Sequence, residues 1–283
     1  MVSLADRQIV GGSLVALLSL AAPALGAGRT EPATRLSHVV PGGILRWSGA
    51  DECEQQGRRF APLAGTCYFP IDLAADGTVG LARRHGATWE RRDVRVDDYP
   101  YPTQSIEGVD DKYVAPSKAE LERIRRDQER AGRAFALRTP GRFSLPLGAP
   151  LEKLPAGGRF GARRVFNGEP RSPHGGADFA ATPGTVVLAP ADGRVVLAEP
   201  QFFAGNALFL DHGDGLISMA FHLSRLRVKA GDEVARGQPI GEVGATGRVT
   251  GPHLHFAVRW RGARVDPALV LGPPAAIPDL AGD

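Results

Sequence analysis

Gly247-Arg248-Val249-Thr250-Gly251-Pro252-His253-Leu254-His255-Phe256 is the stretch on which the reading of this chain turns. With Gly251 and Pro252 forming a turn and a strand following, period-two alternation sends His253 and His255 to one face and Leu254 and Phe256 to the other. Two imidazoles then share one side of a sheet while two apolar side chains enter a core. Taken alone, the pattern equally fits a pair of half-exposed sheet histidines. The decision rests on what lies upstream.

At 174 to 178 the chain reads His-Gly-Gly-Ala-Asp, and His222 follows an apolar run that ends in Met219-Ala220-Phe221. A catalytic zinc site needs three imidazole or carboxylate ligands, a position open to water, and nearby groups that move protons. His174, Asp178 and His255 satisfy the first demand, and His222 with His253 the last. These motifs resemble those of the lysostaphin/LytM-type zinc endopeptidases of bacterial cell walls, which carry His-x-x-x-Asp, a His-Leu pair closing an apolar strand, and His-x-His in this order. The resemblance implies one zinc per chain held by His174, Asp178 and His255. It also implies His253 as the base that takes the water proton, and His222 as the residue that hydrogen-bonds the oxyanion or orients the water. Ala220 stands where a Tyr is frequent in the family, and Ala257 where an acidic residue often follows His-x-His-Phe. Both departures touch only the surroundings of the ligands.

Around these motifs, from Phe143 onward, the pattern is almost all strand and turn. Thr185 to Ala189 and Arg194 to Ala198 flank Pro190-Ala191-Asp192-Gly193, while Asn206 to Asp211 and Leu216 to Phe221 flank His212-Gly213-Asp214-Gly215. Both read as hairpins of a twisted antiparallel sheet. His212 belongs to an Asp-His-Gly turn and reads as structural; His38 and His85, without partners in sequence, read the same way. The segment Val228 to Gly241 also resembles the scaffold of lipoyl and biotinyl carriers, but no modifiable lysine at an exposed hairpin tip follows.

Earlier in the chain, Ser117-Lys118-Ala119-Glu120 is a capping box that opens a charged helix to about Phe135. Leu121, Ile124, Ala131 and Phe135 fall near one face, with Gln128 interrupting the stripe. A connector helix packed along a surface is the expectation, and Thr139-Pro140-Gly141 ends it. From about Ala33 to Ala115, short apolar runs at Gly43–Trp47, Thr66–Leu73, Thr78–Ala82 and Thr88–Val96 point to a small β-sandwich, with Asp76-Gly77 as a hairpin turn. Cys53 and Cys67, the only cysteines, are expected to close a disulfide in an oxidising compartment, contributing about 3 kcal/mol in a chain-entropy treatment.

Residues 1–26 pair Arg7 with an apolar run from Ile9 to Leu20 and small residues at Ala22, Ala24 and Gly26, the pattern of a cleaved secretory signal. An uncleaved anchor is the competing reading, made poor by Gly11, Gly12, Ser13 and Pro23. Lipid attachment is not expected there, the first cysteine being Cys53. The expected organisation is a signal at 1–26, an N-terminal β-domain at 30–115, a connector helix at 116–137, a peptidase domain at 140–272 and a tail at 273–283. The fold class is therefore all-β with one charged connector helix: a β-sandwich-like domain followed by a LytM/lysostaphin-type antiparallel sheet.

The formal charge of +3 favours anionic polymers weakly, and no Lys/Arg stripe with interleaved aromatics speaks for nucleic acid. The expected partners are peptidoglycan peptide stems, with a regulatory protein as a further partner, no nucleic acid, and membrane contact only through an uncleaved signal. Periplasmic or secreted localisation follows from the signal. The expected function is zinc-dependent cleavage of peptidoglycan cross-links, D-alanyl bonds to the diamino acid being favoured over glycine bridges. The alternative is a non-catalytic LytM-type activator of cell-wall amidases. Such activators lack the zinc ligands and catalytic histidines that are all present here.

Overall fold

Residues 37–280 are described by a computed structural model of the chain, and strand is its dominant element. The expected signal, residues 1–26, lies outside the described residues. No helix of the described residues is long and apolar enough to cross a membrane.

The first seven strands are β1 (Ser37–Val39), β2 (Ile44–Ser48), β3 (Glu52–Gln55), β4 (Arg58–Phe60), β5 (Thr66–Pro70), β6 (Thr78–His85) and β7 (Thr88–Val96). They form a five-stranded sheet of order β1-β7-β6-β3-β4 and a separate two-stranded ribbon, β2-β5. Trp47, Phe69, Val79, Leu81 and Val94 pack together in the core of this region, alongside the Cys53–Cys67 disulfide. In β6 the alternation does the sorting: Val79 and Leu81 are buried while Thr78 and Gly80 are exposed.

The Asp76-Gly77 turn corrects one expectation. It joins β5 to β6, which do not pair, because β5 lies against β2 while β6 lies between β3 and β7. After Pro70 the chain buries Ile71 and Leu73, and these apolar anchors carry it from the ribbon to the sheet. The true hairpin is β6-β7, where His85 opposite Thr88 leaves a two-residue loop and Gly86 takes φ +57°, as such loops require.

Next come β8 (Thr103–Ile106), α1 (Asp111–Val114), α2 (Lys118–Phe135), β9 (Arg163–Phe166) and β10 (Glu169–Pro170). The three strands form a small sheet in which β8 runs parallel to β9. Both halves of the capping box at α2 are made: the Ser117 hydroxyl accepts from the Glu120 N–H, and the Glu120 carboxylate from the Ser117 N–H. The stripe differs from expectation at Leu121, which is 54% exposed, whereas Ile124, Asp127 and Ala134 are buried. The helix is fixed through its later turns. Asp127 accepts from the Phe202 N–H at 2.7 Å, and Phe135 stacks on Phe209 at 5.7 Å.

The last strands are β11 (Ala177–Phe179), β12 (Val186–Leu188), β13 (Gly193–Gln201), β14 (Gly205–Asp211), β15 (Leu216–Leu226), β16 (Glu233–Val234), β17 (Pro239–Val243), β18 (Leu254–Trp260) and β19 (Ala263–Val265), followed by α3 (Pro267–Leu271). They build a nine-stranded sheet along β11-β18-β15-β14-β13-β16, with β17 and β12 continuing from β15 and β19 from β18. The β14-β15 hairpin around His212 to Gly215 is as expected. Pro190 to Gly193 is not a hairpin, because β12 pairs with β17 and β13 with β14 and β16. Ala189 and Ala191 are buried, so this segment is an apolar crossing between parts of the sheet instead of an exposed reversal.

Leu254, Phe256, Val258 and Trp260 of β18 enter the larger core, whereas Ala257, with Phe209 and Met219, joins a smaller cluster that includes Ala134 of α2. Full burial of each large apolar side chain contributes about 2 kcal/mol, and a one-residue slip of β18 would expose all four. That arithmetic is what holds His255 on the α2 side. Across the molecule, Tyr68 stacks on Trp260 at 5.6 Å and Asp72 binds Arg264 at 2.6 Å, so the N-terminal ribbon is tied to the last strands of the large sheet. The tail also packs, with Ile277 and Leu280 buried.

Candidate active site

Sheet register brings the expected ligands together. Asp178 of β11 lies directly opposite His255 of β18, and Phe221 of β15 faces His255 from the other side. The Phe221 ring stacks on the imidazole at 5.1 Å. His174, just before β11, is pinned by its own N–H to the Ala162 carbonyl at 2.9 Å. Between them Gly176 is obligatory: a Cβ there would come within 2.6 Å of the Phe256 carbonyl oxygen and 2.7 Å of His255 Nε2.

Three donor atoms converge. His174 Nε2 is 2.9 Å from His255 Nδ1 and 3.0 Å from Asp178 Oδ1, and His255 Nδ1 is 2.9 Å from Asp178 Oδ1. Ligands about 2.1 Å from a tetrahedral ion stand about 3.4 Å apart, so a small outward movement of each would admit one. The tautomer of His174 suits this: its Nδ1–H donates to the Arg159 carbonyl at 2.8 Å, leaving the Nε2 lone pair for a ligand bond. Asp178 Oδ2 is engaged separately by Arg164 at 3.0 Å. Burial works against the Asp178 carboxylate, yet its hydrogen bonds to His174 and His255 hold it well below the ordinary carboxylate range. Burial pushes His255 down to about 4, overriding its bond to Asp178, which keeps it in the neutral form that binds metals.

The other two expected histidines flank this trio. His222 sits at φ +66° in β15, at a break in the β14-β15 register where Asn206 pairs with Leu223 and Leu208 with Ala220. This bulge turns its side chain toward the site. The His222 Nδ1–H donates to the Thr246 carbonyl at 2.9 Å, and the His253 Nδ1–H to the Gly251 carbonyl at 2.9 Å. Both Nε2 atoms are thereby left as acceptors. The two rings are 5.0 Å apart, and His253 Nε2 is 3.6 Å from Asp178 Oδ1. Burial first, then the neighbouring His255 and His253, lower His222 to about 3.

The remaining histidines stay apart from the site. His212 is fully buried and bonded to the Asp192 carbonyl and Ser218, His38 meets Asp97, and His85 meets the Gly49 carbonyl. Arg164 and Arg248 were not among the expected site residues, yet both line the groove on each side of the trio, as does His222. One arm of this groove runs under Ile124, Gln128 and Ala131 of α2. The other is bounded by Ile106, Val109 and Gly251. Arg164 lies in no motif and reaches Asp178 only through the β8-β9 pairing. Arg248 was legible as a lone cation in a turn otherwise made of Gly, Thr, Val and Pro.

The sequence pattern of Peptidase family M23 matches residues 172–267, a span that contains all five site residues. Peptidoglycan DD-endopeptidase ShyA of Vibrio cholerae serotype O1 is 46% identical over 95 residues, which are 34% of this chain and 22% of that protein. An uncharacterized metalloprotease of Haemophilus influenzae is 36% identical over 230 residues, 80% of this chain and 41% of its own length. The chain thus spans less than half of either relative. A crystal structure of a Pseudomonas aeruginosa protein assigned to peptidase M23 is 33% identical with a TM-score of 0.62, and the match covers 82% of this chain and 95% of that one. With identity of that order across nearly the whole of a solved relative, and with the donor trio inside the matched span, this chain belongs to peptidase family M23.

Proposed function

We propose that this chain is a zinc-dependent endopeptidase that cuts the peptide cross-links of peptidoglycan outside the cytoplasmic membrane, in the periplasm or as a secreted protein. The convergence of His174, Asp178 and His255 on one point carries the reading. That the relative ShyA is a peptidoglycan DD-endopeptidase supports D-alanyl cross-links as the bonds cut. Residues 140–272 are the catalytic part in this proposal. The N-terminal region expected at 30–115 and the helix expected at 116–137 govern access or targeting in the same proposal.

His174, Asp178 and His255 would hold the zinc, which when bound would supply Lewis-acid chemistry and a water acidified to a pKa of about 7. His253 Nε2, its other nitrogen spent on Gly251, takes the proton from the attacking water and passes it to the leaving amine. His222 presents an Nε2 acceptor, since its Nδ1–H is spent on Thr246; it orients that water and has no N–H left for an oxyanion. Arg164 holds Asp178 Oδ2 so that Oδ1 faces the imidazoles.

The amidase-activator reading draws no support from a site whose donors are all in place. Incubating purified protein with cross-linked muropeptides, with and without a chelator, tests enzyme against activator. Hydrolysis abolished by the chelator and restored by zinc is expected. Metal-replete protein that leaves the cross-links intact but stimulates an amidase would overturn the proposal.

A further inference from the structure

Most arginines lining the groove on the α2 side have an acceptor: Arg164 donates to Asp178, Arg264 to Asp72, and Arg259 to the Gly262 carbonyl. Arg248 differs. Among the described residues no carboxylate pairs with it and no acceptor takes its guanidinium. What holds it is a clamp of two rings, Phe166 at 4.7 Å and Phe203 at 4.4 Å from the guanidinium carbon, with its backbone N–H bonded to the Phe203 carbonyl at 2.9 Å.

A residue needed only to fill the space between two phenyl rings would pack better as Leu or Met, without the cost of partly burying a cation. The clamp also leaves the working end open. Arg164 Nε is sealed from solvent without a partner, and no nitrogen of Arg248 is. Burial, and then the nearby Arg164 and Arg171, lower Arg248 to about 10, so it is charged at neutral pH. Outside the trio the arm under α2 offers one carboxylate, Asp127, and that is taken by the Phe202 N–H and Arg130. The groove is short of negative charge beside His222, and a rigid planar fork waits there with its donors unspent.

We propose that Arg248 binds an ionised carboxylate of the substrate peptide, making this site selective for cross-link peptides with a free carboxylate near the bond cut over peptides in which that group is amidated. The inference rests on the peptidase reading for its substrate class. It needs no change in the roles of the ligands or of His253.

The test uses the zinc-loaded full chain and paired peptides identical except that the stem carboxylates are free or converted to primary amides. Cross-linked pairs report cleavage; uncross-linked stem peptides, which have no cross-link to cut, report affinity by calorimetry. Wild type is expected to favour the free carboxylate by about ten-fold or more in both readouts, the scale of a charge-assisted hydrogen bond. Arg248→Gln should remove the preference by losing ground on the carboxylate peptide, and Arg248→Lys should restore part of it. Equal affinity of wild type for the two stem peptides overturns the proposal, whether or not either variant folds. So does a preference that survives in a folded Arg248→Gln. Failure to cut any cross-linked peptide sinks the peptidase reading instead, and the affinity preference still decides the role of Arg248.

Discussion

The five-stranded N-terminal sheet and the groove of the large sheet use charged side chains in opposite ways. On the first, charges are matched in pairs that each keep at least one partner in contact with water: Arg83 with Glu90, Arg84 with Glu52, and Arg91 with Glu54. In the groove, His174, His222, His253, His255 and Arg164 gather around Asp178, Arg248 stands beside them without a carboxylate, and three of the imidazoles are at least 92% buried. Matched surface pairs contribute little and cost little. A buried, base-rich cluster destabilises the fold until something cationic with open coordination sites takes the lone pairs. The contrast separates the part of the molecule built for stability from the part built for chemistry.

The largest expected effect comes from breaking the groove at its centre. Asp178→Ala and His255→Ala each remove one of three donors, so both should lose bound zinc and at least about 1,000-fold in activity. Without metal, Asp178→Ala should melt below the metal-free wild type, because Arg164 loses its carboxylate and two buried imidazoles lose a shared partner, while His255→Ala, which leaves the Arg164–Asp178 pair in place, should be shifted less. Stoichiometric zinc with normal turnover in either variant would dismiss the trio as the site.

His253→Ala sharpens the same comparison within the groove. It should retain zinc, since His253 stands 3.6 Å from the Asp178 oxygen and outside the close trio, yet lose about 100-fold in kcat. Metal content falling along with activity would exchange its role with that of a ligand.

The N-terminal region should respond in stability and not in chemistry. Cys53 and Cys67 are joined across 14 positions with Cα atoms 5.6 Å apart. Replacing both by Ser should cost about 3 kcal/mol. Zinc content and kcat should be unchanged at temperatures where the variant is folded. Loss of zinc in this variant at such temperatures would mean that the two regions are coupled more tightly than the contrast allows.

Much of this contrast was legible before any coordinates. His174, Asp178, His222, His253 and His255 were each named from spacing, because strand alternation and the His-x-x-x-Asp separation are local properties that sheet register preserves. His255 was placed by Leu254 and Phe256, whose burial outweighs any alternative register. Pairing partners were not legible in the same way. Asp76-Gly77 and Pro190 to Gly193 both carry good turn chemistry, but turn chemistry reverses a chain without saying which strand it will meet. That choice was made by distant apolar residues such as Ile71, Leu73, Ala189 and Ala191. Leu121 failed for a related reason: helical periodicity gives a face, while the length of that face that is covered depends on where the sheet lies. Arg164 became visible only when β8 and β9 had been paired, and Arg248, a lone cation in its turn, gained a role only when the two phenyl rings had been placed.

The smallest effect is expected where the two regions meet, and pH is the way to see it. Asp72, just after the N-terminal ribbon, accepts from the Arg264 guanidinium and N–H and from the Ala74 N–H. Burial alone would raise its pKa, but the Arg264 hydrogen bonds and those of the backbone outweigh burial and lower it. A carboxyl with a folded-state pKa below its unfolded one stabilises fully above the unfolded value, and the contribution is lost as pH falls through the folded value. Wild type should therefore melt higher than Asp72→Asn near neutral pH, and the gap should close in acid, below about pH 4 where unfolded carboxylates protonate. Arg91→Gln, which weakens a pair on the open sheet whose arginine is 61% exposed, is the control and should shift melting little at either pH. A gap for Asp72→Asn that stays constant from neutral pH into acid would show that this junction is held by shape and apolar contact, the Tyr68 and Trp260 rings foremost, and that its charge pair is as incidental as those on the open sheet.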